Sequence, residues 1–195
     1  MNPGAPDLDP NELTAAEILP NPRQFVRHVK LNNGAPSMIR AIRTSDELLL
    51  ARFHAKLSDR SVYLRYFSFI SLSHRIAHEQ LARTCLINDR QFALVAVLRR
   101  EGSHEQEIIG LGQMIRQDGL NEVEVGLIVG DDHQNQGLGT RLCECLLEIS
   151  RAAGARRVVS LILCENYAMR VTGRRFGCNL EFVLGEHALR ATLAL

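Results

Sequence analysis

Tryptophan is absent, and aromatic residues make up only 5% of the 195-residue chain. That is too few for a base-stacking platform on single-stranded nucleic acid. A surplus of one charge is also lacking: 23 Lys and Arg stand against 22 Asp and Glu, for a formal net charge of +1. Such a balance gives no pull towards nucleic acid or an anionic membrane surface, and neither is an expected partner. No apolar run approaches the roughly 20 residues of a membrane span. The start carries Asp7, Asp9 and Glu12 without an apolar h-region, so no signal peptide is expected. The five cysteines, Cys85, Cys143, Cys145, Cys164 and Cys178, include no C-x-x-C pair. Zinc-site spacing is therefore missing, and reduced thiols suit a cytoplasmic protein. His74 and His78 fall four apart on an expected helix, but no H-E-x-x-H is present and no metal is expected.

Proline is missing from most of the chain. All six prolines lie at or before Pro36. This break divides the sequence into a proline-rich N-terminal arm, residues 1–36, and a domain, residues 37–195. From Met38 the pattern becomes regular. Met38 to Arg43 reads as a strand. Thr44, Ser45 or Asp46 caps a helix to about Leu57, Asp59 or Ser61 opens a second through Phe69, and Ser73 caps a third. Strands follow at Gln91 to Arg100, Ile108 to Arg116 and Glu122 to Val129. Gly137 to Ala153 is an amphipathic helix, with Leu138, Leu142, Leu146 and Ile149 on one stripe. Val158 to Leu163 is a continuous apolar run, the mark of a strand covered on both faces. A helix over Tyr167 to Phe176 and closing strands at Leu180 to Leu184 and Leu189 to Leu195 complete the order. This is an α/β fold with an α+β mixed sheet: an antiparallel meander that leads into one βαβ crossover.

Between the fourth of these strands and the long helix lies Gln134-Asn135-Gln136-Gly137-Leu138-Gly139-Thr140. A helix start offers unpaired N–H groups and the positive end of its dipole, which together bind phosphate. Gly137 and Gly139 let the backbone come close to a pyrophosphate, and the Gln134 amide can donate to it. A tight turn alone would also explain two glycines here. A Rossmann loop would need a further glycine and an early place in the domain. A Walker loop would need G-K-[ST], and the Lys is missing.

The spacing Q-x-x-G-x-G, carried by Gln134, Gly137 and Gly139, resembles the acyl-CoA signature of the GNAT superfamily of N-acetyltransferases. Glu165-Asn166-Tyr167-Ala168-Met169 is similar to that family's Asn-containing segment after a buried strand. Gly177 stands where a G-F pair is common, with Cys178 in place of Phe. The resemblance spans about Met38 to Leu195. The segments Leu57 to Phe67, Leu72 to Glu79 and Asn121 to Glu124 look like bacterial Pat-type protein lysine acetyltransferase domains.

The resemblance implies acetyl-CoA as co-substrate and strands four and five that splay apart. Leu127, Ile128 and Val129 would then offer backbone groups to the pantetheine arm, and the amides from Gln136 to Thr140 would hold the pyrophosphate. Asn166 would contact the pantetheine arm or cap the following helix. The attacking amine must lose a proton, because a lysine ammonium has a reference pKa near ~10.4. Glu124 is the candidate base. It lies on a strand whose other face is Val123, Val125, Leu127 and Val129. Glu122 shares its face by period two and is the runner-up. A Tyr seven residues after the Asn protonates the leaving thiolate in many relatives; Gly173 holds that place here, so no general acid is assigned. Tyr63, Tyr66 and Phe67 read as core or as the border of an acceptor cleft, and Arg60 and Arg65 as facing an acidic acceptor or water. The acceptor implied is a protein lysine, such as one on an acyl-CoA synthetase. A small-molecule amine acceptor and a non-catalytic acyl-CoA-binding module stay open. So does a homodimer through the last strand or the arm.

Overall fold

The computed structural model describes residues 25–99, 106–117 and 121–195. Eight strands form one sheet: β1 (Val26–Lys30), β2 (Pro36–Ala41), β3 (Gln91–Arg99), β4 (Gln106–Arg116), β5 (Glu122–Val129), β6 (Arg157–Leu163), β7 (Asn179–Phe182) and β8 (Ala188–Ala194). Their order is β1-β2-β3-β4-β5-β6-β8-β7. Every neighbouring pair is antiparallel except β5 and β6. The helices are α1 (Glu47–Lys56), α2 (Asp59–Tyr66), α3 (Leu72–Arg75), α4 (His78–Cys85), α5 (Leu138–Ala152) and α6 (Tyr167–Arg175).

Each face of the sheet has its own core. On one face α5 buries Leu138, Leu142, Leu146 and Ile149 against Ile39, Leu94, Val123 and Val125. A Cβ added to Gly112 of β4 would lie 2.9 Å from Leu146 Cδ1, so a glycine there lets the helix sit close. On the other face Leu50, Phe53 and Val62 of α1 and α2 pack on Val95, Leu111 and Ile128. Alternation on β5 thus divides its side chains between two cores. Burying side chains on both sides fixes the strand's register, since a slip of one residue would exchange the faces.

Two sequence expectations change here. The sheet starts ten residues before the expected domain boundary at Pro36: Val26–Lys30 pairs with β2, Val26 opposite Arg40 and Lys30 opposite Pro36. Pro36 is tolerated because it is the first residue of its strand. Residues 1–24 of the expected arm lie outside the described residues. The expected helix after Ser73 is two short helices, with Ala77 extended between them. Arg75 turns inward there, and its guanidinium donates to the carbonyls of Ile70 and His54. His74 and His78 therefore stand on different helices, and His78 Nδ1 lies 2.8 Å from Glu47 Oε2.

Candidate active site

The single parallel seam of the sheet is short. β5 and β6 pair only at Glu122–Arg157, Val123–Val158 and Glu124–Val159. From Val125 to Val129, β5 keeps its partner β4 and has none on the other side. Meanwhile β6 continues with β8 as far as Leu163. The two strands therefore splay, as expected. Alternate residues turn their backbone groups to this side, so Val125, Leu127 and Val129 present the open edge, while Gly126 and Ile128 bond to β4.

A cleft of about 380 Å³ opens along this edge. Leu127, Ile128, Val129, Gln134, Asn135, Gly137, Gly139, Thr140 and Asn166 all line it, together with Ser61, Arg65 and Tyr167. A larger hollow of about 770 Å³ lies away from it, beside Pro36, Phe53, Leu98 and Ile108. Among the described residues that hollow has neither an unpaired strand edge nor a helix start, so the smaller cleft is the site with chemistry.

At one end of the cleft stands the start of α5. Asn135 and Gly137 are both left-handed, with φ of 58° and 81°. Asn tolerates this conformation, and Gly adopts it without cost. The N–H groups from Gln136 to Thr140 find no backbone acceptor among the described residues. The helix dipole adds to their attraction for an anion. This is a cradle that fits a pyrophosphate. Leu138 contributes only its backbone, because its side chain is fully buried in the core.

Gln134 behaves differently from expectation. Its amide donates to Ser61 Oγ at 3.0 Å and to the Val129 carbonyl at 3.1 Å. It ties the loop to α2 and β5, and its donors are already spent. Asp131 strengthens the same tie. Its carboxylate accepts from Ser58 N at 2.9 Å, Ser58 Oγ at 2.6 Å and Ser61 Oγ at 2.8 Å. Burial pushes the Asp131 carboxyl up, but these hydrogen bonds outweigh it and hold it below the usual carboxylate range. From the sheet's far end, Asn32 N donates to the Gln136 carbonyl at 3.0 Å. Asn32 lies within the segment expected to be an arm, and no motif announced it.

The two carboxylates of β5 part company. Glu122 is 3% exposed, and its oxygens accept from Arg157 Nε at 2.9 Å and Arg190 Nη2 at 2.8 Å. The runner-up base is thus spent on two guanidinium groups, one of them reaching it on the long side chain of Arg190 from β8. Glu124 is exposed and, among the described residues, accepts only from Gln117 Nε2, at 3.1 Å. It is the last paired residue before the strands separate. Asn166 caps α6, its Oδ1 accepting from Met169 N at 3.2 Å. Its amide nitrogen has no acceptor among the described residues and can donate to a ligand. Gly173 is buried beside Leu180 and Cys178, where an added Cβ would make ordinary van der Waals contact. Arg60 is exposed and makes a long contact of 3.9 Å with Glu165. Arg65 instead turns into the cleft.

Known proteins share this fold. The family model described as "Acetyltransferase (GNAT) domain" matches residues 38–179. Acetyltransferase PA5475 of Pseudomonas aeruginosa is 25% identical over 140 residues, which are 72% of this chain and 73% of that protein. The GNAT domain of S. lividans PAT has the same fold, with a TM-score of 0.75 at 23% identity, covering 87% of this chain and 97% of that one. RimJ of Mycobacterium smegmatis, solved in complex with CoA-disulfide, gives a TM-score of 0.64 at 16% identity, covering 87% and 86%. The family match takes in the splayed seam, the helix-start cradle and the Asn166 cap together, and the chain belongs to the GNAT acetyltransferases.

Proposed function

We propose that this N-acetyltransferase acylates protein lysine side chains in the cytoplasm, with Glu124 as the base. The observation that carries the reading is the position of Glu124. It is exposed, it stands at the fork of β5 and β6, and no cation among the described residues neutralises it. A lysine is long enough to reach such a base from the surface of another protein.

Acetyl-CoA supplies an activated acyl group as a thioester. The amides from Gln136 to Thr140 hold its pyrophosphate, and the open edge at Leu127 and the Val129 N–H orients the pantetheine arm, with Ile128 between them bonded to β4. The Asn166 amide donates from the opposite wall. Glu124 takes the proton that the ammonium must lose, directly or through one water. The neutral amine nitrogen then bonds to the carbonyl carbon, the C–S bond breaks, CoA leaves as a thiolate, and the second proton on nitrogen passes to that thiolate or to water. Positioning and proton removal are the contributions of this chain.

The test is thiol release from acetyl-CoA, with a lysine-bearing acyl-CoA synthetase and with free polyamines as rival acceptors. Release with the protein acceptor supports the reading. Release only with polyamines replaces it by a small-molecule enzyme. Absence of CoA binding by calorimetry would sink it altogether.

A further inference from the structure

Arg65 lies at the reacting end of the cleft. Its guanidinium covers β5 at Gly126: a Cβ built there would lie 2.5 Å from Arg65 Cζ and 2.6 Å from Nη2. Only a residue without a side chain leaves the guanidinium this seat. Nη2 donates to Gln113 Oε1 at 3.2 Å, and Cζ lies 5.1 Å from the centroid of the Tyr66 ring. These contacts fix its orientation. None carries a counter-charge, and no carboxylate among the described residues forms an ion pair with Arg65. A half-buried cation that faces a cleft without a counter-charge favours an anionic ligand.

The order of groups along β5 says which part of a substrate comes there, given the cofactor placement proposed above. The phosphate cradle comes first, at residues 136–140. The free edge from Val129 to Leu127 follows. Gly126 is next, and Glu124 lies two residues further, roughly 7 Å along an extended strand. A pantetheine arm that runs down this edge brings its thioester beside Gly126, under the guanidinium.

We propose that Arg65 is a specificity-determining residue that receives a carboxylate at the end of the acyl chain. The protein then transfers dicarboxylic acyl groups, succinyl being the simplest, and favours them over acetyl. The bonds exchanged are those of acetyl transfer. The ammonium proton passes to Glu124, the amine nitrogen bonds to the thioester carbon, the C–S bond breaks, the CoA thiolate or water takes the second nitrogen proton, and the distal carboxylate stays ionised on Arg65. The guanidinium also shields that carboxylate from Glu124, which would otherwise repel it. An ammonium in this place would give a point charge without the planar fork that matches a carboxylate.

Calorimetry and thiol release with CoA, acetyl-CoA and succinyl-CoA test this on the full chain. The wild type should bind and use succinyl-CoA better than acetyl-CoA. In Arg65→Gln the succinyl-to-acetyl ratio should fall by roughly 10–100-fold, the range of a charge-assisted hydrogen-bonded pair. Arg65→Lys should fall between the two. Affinity for CoA itself reports whether the variants keep a folded cleft. CoA binding without a succinyl preference in the wild type overturns this inference and leaves the acetyltransferase reading standing. An equal loss of both esters in Arg65→Gln also overturns it, since Arg65 would then act on something other than the distal carboxylate. Failure of the wild type to bind CoA overturns both.

Discussion

The closed and open ends of the β5–β6 seam use the same residue type for opposite purposes. At the closed end Glu122 is buried between Arg157 and Arg190. At the fork Glu124, on the same face of the same strand, stays exposed beside Gln117. Their difference comes from what the neighbouring strands bring to each. β6 and β8 deliver two cations to the closed end, whereas β6 turns away from the open one. A carboxylate that is paired and enclosed is costly to unpair, and one left in reach of solvent is available for proton transfer.

Exchanging each carboxylate for its amide should separate those purposes. Glu124→Gln should lower turnover by roughly 10²–10⁴-fold, the usual contribution of a positioned base. CoA affinity and stability should change little, because the side chain is exposed and makes one hydrogen bond. Full turnover at saturating acceptor would remove Glu124 from the mechanism.

The comparison at the closed end has to be made where the interior under α1 is intact, and His54 limits that range. Burial lowers its imidazole to about 4, and the Arg75 guanidinium adds to the effect. The unfolded residue titrates near ~6.5. As pH falls between these values the unfolded chain takes up a proton that the native state refuses. Stability is therefore full above about 6.5 and declines towards 4, by about 3 kcal/mol across the window. Urea unfolding at pH 7.5, 6 and 5 should show the decline, and His54→Leu should flatten it. An unchanged slope in that variant would assign the acid sensitivity elsewhere. Above that window Glu122→Gln should cost about 2 kcal/mol, seen as a lower urea midpoint with kcat held within about twofold. The cost is moderate because Arg157 and Arg190 are about half exposed and can turn to water. A variant that keeps its midpoint would mean that the closed end needs no buried anion.

Much of the open end was legible in sequence, and little of the closed end was. β5 occupies the expected residues 122–129, and the cradle follows from a loop set between a strand and an amphipathic helix. These are local patterns. Glu122 was misjudged because its partners lie far along the chain, Arg190 arriving only through the β6–β8 pairing. Gln134 was misjudged for the same reason: Ser61 takes its amide from 73 residues away. Arg65 was left between an acceptor surface and water, since only the fold sets it over Gly126. β1 escaped because its five residues, Val26–Lys30, follow a proline-rich stretch and carry too few apolar side chains to stand out.

The smallest effect tests how the open end is held. Asp131 joins the cradle to α2 through Ser58 and Ser61 and belongs to neither half of the seam. Its carboxyl sits below the usual range in the native state. The stability it provides is present above about pH 4, near the unfolded value, and is lost as pH falls through the native one. Asp131→Asn should therefore lower stability at pH 7, and the gap to the wild type should close towards pH 3. The carboxylate is exposed, so screening keeps the gap small, roughly 0.5 kcal/mol. His54 titrates alike in both proteins and cancels from the difference. CoA affinity should weaken about twofold, because an amide nitrogen in place of one oxygen turns a donor towards a serine hydroxyl or N–H that already donates. A gap that persists undiminished at pH 3 would show that packing, and not the ionised carboxylate, fastens α2 to the cradle.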